Sequence, residues 1–451
     1  MDDDRCSNSD SDLDSLFGDP SESVTSKDRD HPSVDHLDDV VYGLRWSDEN
    51  DIFSPTPQWT VQPTIDAIVL TLQNVVGPHK QYDVQHIWNG TYDKIYSVSY
   101  DQTRLIMRVS LPVCPRTKIE SEAATIRWIH ENTNLPVPKV HYYDSSRNNP
   151  IGFEWILMDR IDGIPLSQCW ASVTQDAKER IVKQIAGYAA AAFKLQFEGI
   201  GSLHPPQSHP SASQPRVADL RMKTQEVTDE SHRDIAARML ILVDRLRNIE
   251  DKFFPTPEIN SNQSPMNDDE EDDDSTDEDD HVVDKVARPR EPTMLWHDDI
   301  SLDNIIVDKN GILCGVIGWE CVSCLPLYEA CQFPAFLQQS QDRPVEPLTP
   351  HGVTQRQLSD SRSGSVARYD RNLRQHQITL LRQLFISSMI DLCPGWISIF
   401  DGRRCLRDYE AAVQNCDNES AYEMVETWVD AVEKTGTSGE APWHLHERLM
   451  G

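Results

Sequence analysis

The sequence predicts an α+β chain, with a small, mainly β lobe followed by a larger, mainly helical one. Three observations carry that expectation. Residues 82–110 hold two β-branched stretches separated by turn chemistry. After Gly163 the apolar residues repeat at three and four. Asn310-Gly311 stands between two further β-branched runs inside the helical half.

The elements follow in order. Residues 1–40 hold 13 acidic residues against 3 basic ones, with few aromatics, so they cannot bury enough apolar surface to offset ordering entropy and are expected to be a disordered tail. Leu13, Leu16 and Phe17 among the acids make this tail a candidate docking segment for a protein partner. From Tyr42 the composition turns globular, and the first lobe is expected over 41–160. Residues 65–75 read as a helix. Ile95–Tyr100 and 105–109, either side of Asp101-Gln-Thr-Arg104, read as a hairpin. Ile119, Ala123, Ile126 and Ile129 place a helix over 118–133, and strands follow over 137–143 and 153–158.

The second lobe is expected over 161–451. Ile181, Ile185, Tyr188 and Ala192 predict a helix over 175–197, and 233–249 repeats the pattern. A Ser/Pro loop covers 208–215. Residues 255–292 are a polar insertion whose run from Asp268 to Asp280 holds 11 acids and no base, the signature of a solvated spacer. A polar loop over 338–368 precedes helices over 375–392 and 421–432.

The formal charge of −32 is concentrated in the tail and the insertion, and without them −11 remains. A moderately acidic body weighs against nucleic acid or an anionic membrane as partner and leaves room for a cationic small substrate. The ten cysteines show no framework spacing, and the N-terminus is acidic without an apolar stretch; reduced thiols and a cytoplasmic location are expected. Cys321-Val-Ser-Cys324 has the spacing of half a zinc site but no second pair, so buried structural thiols are the expectation. No apolar run reaches the roughly 18 residues of a membrane span.

The chemistry lies in Leu295-Trp-His-Asp-Asp-Ile-Ser-Leu-Asp-Asn304, which leads into the ribbon signalled by Asn310-Gly311. Phosphoryl transfer needs an acceptor hydroxyl held in line, its proton accepted, and cations offsetting charge on the phosphates. A carboxylate on a short loop serves the first need, and an amide oxygen five residues on can serve the last. His297, Asp299 and Asn304 match the pattern His-x-Asp-x-x-x-x-Asn, and the segment resembles the catalytic loop of the aminoglycoside phosphotransferase and choline kinase-like family, in its fungal-type branch. The likeness runs from about Tyr42 to Leu337. It includes Leu105-Ile-Met-Arg-Val-Ser-Leu-Pro112, Glu120-Ser-Glu-Ala-Ala-Thr125, Leu135-Pro-Val-Pro-Lys139 and Phe153-Glu-Trp-Ile-Leu-Met158.

That resemblance implies a two-lobed protein-kinase-like fold and ATP-dependent transfer of phosphate to a small hydroxylated acceptor, with ATP and Mg²⁺ as cofactors. It implies Asp299 as base, Asn304 as metal ligand and His297 as loop support. The segment Gly90-Thr-Tyr-Asp-Lys94 resembles the loop over the nucleotide phosphates. Arg108 takes the place of a phosphate-contacting lysine, with Glu122 as its carboxylate partner, and Met158 to Arg160 would form the hinge facing the adenine. One position departs from the family pattern: an aspartate is expected before Trp-Glu, and this chain has Gly318. Glu320 would share the face of Gly318 if the strand continued, and is the candidate substitute ligand. A binding protein of the same fold without catalysis is the alternative function.

Overall fold

The structure, a computed structural model, describes residues 41–47, 56–204, 230–254, 291–338, 341–348, 364–435 and 443–449. The expected tail over 1–40, the loop over 208–215 and all but the last two residues of the 255–292 insertion lie outside the described residues.

Strands β1 (Leu44–Trp46) and β2 (Pro57–Trp59) pair antiparallel. Helix α1 (Ile65–Val75) starts where Thr64 accepts the Ala67 N–H at 3.3 Å, a side-chain cap for an otherwise orphaned donor. Next come β3 (Asp83–Asn89), β4 (Asp93–Tyr100), β5 (Thr103–Ser110), helix α2 (Thr117–Asn132), β6 (Val140–Asp144) and β7 (Glu154–Asp159). The last five strands of this group form one antiparallel sheet in the order β3-β4-β5-β7-β6. The β4–β5 turn is only Asp101-Gln102, tighter than the sequence suggested, with Asp101 at φ +51°. A two-residue hairpin turn needs such a left-handed position.

The helical part begins after β8 (Ile164–Pro165) with α3 (Leu166–Cys169), α4 (Gln175–Lys194) and α5 (Glu230–Phe253). Strands β9 (Thr293–Trp296), β10 (Ile305–Val307), β11 (Leu313–Val316) and β12 (Ser323–Pro326) follow, giving a ribbon in the order β11-β10-β8 and a β12-β9 pair. The chain then runs through α6 (Leu327–Ala330), a 3₁₀ turn (Ala335–Leu337), α7 (Gly364–Leu392), α8 (Pro394–Gly402), α9 (Arg404–Gln414), α10 (Tyr422–Lys434) and α11 (Leu445–Leu449). An antiparallel sheet in the N-terminal part and helices in the C-terminal part make the fold α+β.

Some boundaries differ from the sequence reading. The helix expected over 175–197 stops at Lys194, because Phe197 exchanges both backbone bonds with Thr293, at 2.8 and 2.9 Å. Helices α8 and α9 were not anticipated. Beyond Val316 the strand does not continue to 320: Gly318 stands at φ +80° and Cys321 at φ +62°, so the chain turns twice and strict alternation no longer fixes where Glu320 points. Cys324 is buried as expected, whereas Cys321 is exposed.

Helix α2 serves two cores. Its Ile119 and Ala123 pack on Ile156 and Met158 of the sheet. Its Ile126 and Ile129 join the main core of α4, β9, the ribbon and α7, where Trp319, Phe385 and Trp396 are fully enclosed. A further core forms between α5, α9 and α10 around Trp428. No helix of the described residues is long and apolar enough to cross a membrane.

Candidate active site

The segment 297–304 links β9 to β10, and its backbone is held from inside. The His297 ring is buried edge-on against Trp319, with centroids 4.5 Å apart. Its Nδ1 accepts the Asp299 N–H at 3.2 Å, which leaves Nε2 as the protonated nitrogen, donating to Ile317 O at 3.4 Å. Burial pushes its pKa below the ordinary imidazole value, so the ring is neutral and fixed in one tautomer. Asn304 completes the frame: its O accepts the Ile317 N–H at 2.9 Å, and its Nδ2 donates to Asp299 O at 2.9 Å and to Asp299 Oδ2 at 2.7 Å. The Asp299 carboxylate is thereby held in one orientation on an exposed loop.

With its nitrogen committed to two oxygens, Asn304 has only Oδ1 to offer a cation. Position 318 offers nothing. A Cβ there would lie 2.9 to 3.0 Å from the Asn304 amide, and the backbone φ of +80° already favours glycine. Glu320, the expected substitute, is turned away: its Oε2 lies 2.8 Å from Arg108 Nη1 and 3.4 Å from Lys118 Nζ. A carboxylate compensated by two cations is a poor metal donor, and the kinked backbone explains why alternation misplaced it. Among the described residues no group of three or more His, Cys, Asp or Glu is arranged to hold a metal ion. The side chains present do not make the two-ligand Mg²⁺ seat that the resemblance implies.

Arg108 and Glu122 do meet, β5 against α2, as an ion pair. They belong to a larger cluster. Lys118 on the first turn of α2 binds both oxygens of Asp93, at 2.9 and 2.8 Å, and Ser110 also donates to Asp93. Burial alone would raise the Asp93 carboxyl, but Arg108 and Lys118 beside it outweigh this and hold its pKa below the ordinary value. Two cations and three carboxylates thus share one nearly closed space, in which the Arg108 side chain is only 8% exposed.

The other expected nucleotide residues are distributed differently. The Gly90 N–H donates to Asp93 O at 2.8 Å, and the Trp88 ring lies where a Cβ would stand. Glycine is required there for that ring to fold back. Lys94 pairs in register with Val109, whereas Arg108 pairs with Ile95. With a side-chain period of two, this puts Lys94 on the opposite face of the sheet from Arg108. It donates to Asn89 Oδ1 at 2.7 Å and lies 5.1 Å from the Trp59 ring, so it is not gathered with Arg108. Met158 is paired on both sides, with Ile106 and Val140, and Arg160 donates to Ser97 Oγ at 3.0 Å.

Sequence reasoning missed Asp93 and Lys118. The available signal was Lys118 and Glu122 four apart on α2, beside the apolar row. It also missed Glu329 and Glu410, which face a cleft of about 840 Å³ lined by Trp296, Asp298 and Cys321 as well. Burial and the nearby Glu410 push the Glu329 carboxyl up to about 7, and burial raises Glu410 too. No motif announced either residue.

Comparison with known proteins gives a consistent placement. The model of the phosphotransferase enzyme family matches residues 83–329. A subtelomeric hrmA-associated cluster protein of Aspergillus fumigatus is 33% identical over 125 residues, 27% of this chain and 25% of that protein. An altered inheritance of mitochondria protein 9, mitochondrial, of Meyerozyma guilliermondii is 28% identical over 128 residues, 27% of this chain and 21% of that protein. This chain therefore spans about a quarter of the length of the curated relatives it matches first. Among solved structures, an aminoglycoside phosphotransferase APH(4)-Ia is similar over 81% of this chain and 99% of its own, at 15% identity and a TM-score of 0.38.

Proposed function

The chain belongs to the phosphotransferase enzyme family, and from that premise we propose that it transfers the terminal phosphate of ATP to a hydroxyl of a small molecule. The observation that carries the reading is the Asp299 carboxylate, held by Asn304 at 2.7 Å on the loop whose Asp298, with Trp296 at the end of β9, lines the cleft of about 840 Å³. An acceptor in that cleft would present its hydroxyl to Asp299, which accepts the proton as the oxygen attacks.

His297 keeps the loop in register, and Arg108 and Lys118 supply the protein's positive charge toward the phosphates. The end of β7 at Met158 and Arg160 is the candidate edge for the adenine. Magnesium carried with the phosphates would supply charge neutralisation, with Asn304 Oδ1 as a candidate side-chain donor among the described residues. The cysteines, which lack framework spacing, support a cytoplasmic location, and the acidic tail is a candidate docking segment for a protein partner.

One observation favours a second reading, a module that binds nucleotide or a partner protein without turnover: Gly318 supplies no metal ligand. Assays of ATP-dependent phosphorylation across a panel of hydroxylated small molecules, with the natural chain and Asp299→Asn, separate the two. Transfer that falls about 10²–10⁴-fold in Asp299→Asn, the usual contribution of a positioned base, supports the kinase reading. Nucleotide binding with no transfer to any acceptor supports the second.

A further inference from the structure

Arg108 is the residue the resemblance assigns to nucleotide phosphates, yet its guanidinium is enclosed. Glu122 takes one end, Glu320 the other at 2.8 Å, and Asp93 Oδ1 lies 3.7 Å from Nε. Arg108 Nε is buried without a hydrogen-bond partner, in a side chain more than nine-tenths buried. Lys118 Nζ stands beside it, held by Asp93 and 3.4 Å from the same Glu320 oxygen. The three carboxylates are not equivalent. Asp93 and Glu122 are buried on the sheet and α2, with side chains 7% and 2% exposed, whereas Glu320 is 35% exposed and sits on the twice-turned segment between Gly318 and Cys321.

We propose that Glu320 is an internal anion occupying a two-cation phosphate seat built by Arg108 and Lys118, so that a di- or triphosphate binds by displacing it. The proposal rests on the phosphate-side reading of Arg108 and Lys118 given above and adds a competitor to it. The geometry fits. Glu320 Oε2, ion-paired with a guanidinium and an ammonium but without a hydrogen-bond partner of its own, occupies the position a phosphate oxygen would take, since both cations attract either anion. With Glu320 in place the cluster carries one excess negative charge, which repels a phosphate. With Glu320 swung out, Arg108 and Lys118 are balanced by Asp93 and Glu122 alone, and each cation has donors open on the vacated side. Displacement also removes the ion pair between the segment after β11 and the sheet, so phosphate binding and release of that segment are one event.

The test is calorimetric titration of the full chain with inorganic pyrophosphate in the presence of a chelator, on the natural protein, Glu320→Gln, Glu320→Asp, Lys118→Met and the double variant Lys118→Met with Glu320→Gln. Removing the competing charge is expected to tighten pyrophosphate binding about tenfold or more, equivalent to roughly 1.4 kcal/mol. The shorter Glu320→Asp, which keeps the charge and is the variant safest for folding, is expected to show a smaller gain. Adding Lys118→Met is expected to erase the Glu320→Gln gain. An unchanged or weaker affinity in well-folded Glu320→Gln and Glu320→Asp overturns the proposal. So does a gain that survives loss of Lys118, or no measurable binding by any form. Acceptor phosphorylation, measured in parallel, keeps the two readings apart. A pyrophosphate pattern as expected without any transfer would refute only the kinase reading. Transfer with no effect of Glu320 would refute only the seat.

Discussion

Single residues decide what the site can do, and Gly318 is the clearest case. Restoring the carboxylate expected there is more than adding a ligand, because the backbone sits at φ +80° and the new Cβ would press on the Asn304 amide at about 3 Å. A left-handed non-glycine residue costs about 1–2 kcal/mol, so Gly318→Asp is expected to lower the thermal midpoint measurably. It is also expected to disturb the Asn304 bond that orients Asp299, so a gain in turnover from this change alone would contradict the geometry. His297, Asp299 and Asn304 were legible because their spacing is local and the loop is short. Glu320 was not, because its place depends on two left-handed residues, and only one of them, Gly318, is a glycine that sequence could flag. Lys94 stands apart from Arg108 for a register reason: one position along β4 is the other face of the sheet.

At the scale of elements, periodic helices and strands were the readable part. Helix α1 matches its expected span of 65–75, and α2 and the β4–β5 hairpin differ by a residue or two. Helices α8 and α9 went unread, although α9 is as long as α1 and is amphipathic. It is the meeting of α6 and α9 that brings Glu329 and Glu410 to the cleft. Glu329 has its folded pKa raised from 4.5 to about 7 by burial and by Glu410. The folded state therefore holds this proton more tightly than the unfolded chain, and the associated stability is full below about 4.5, is lost as pH rises toward 7, and stays lost above it. Glu329→Gln is expected to flatten that slope and to raise stability at pH 8 by roughly 1–3 kcal/mol. Urea unfolding at pH 4, 6 and 8 measures both, and an unchanged slope would show that the carboxyl is not strained.

For the whole molecule, the buried ion cluster joins β4, β5, α2 and the segment after β11, so its loss is felt across the chain. Arg108→Leu leaves three carboxylates facing one ammonium and is expected to cost about 3–5 kcal/mol, as breaking a buried ion network does. A denaturant midpoint shift much smaller than that would mean that water reaches the cluster freely. A second tie lies nearby, where the Val316 N–H donates to Pro136 O at 2.9 Å. Helix α2 adds the third, with Ile119 and Ala123 turned to the sheet and Ile126 and Ile129 to the main core. The change of composition near residue 160 is therefore a change of secondary structure and not a seam in the packing. A fragment ending there would carry half of the α2 apolar surface into water and leave a matching hollow in the remainder. The two pieces should be recoverable only when they are made together.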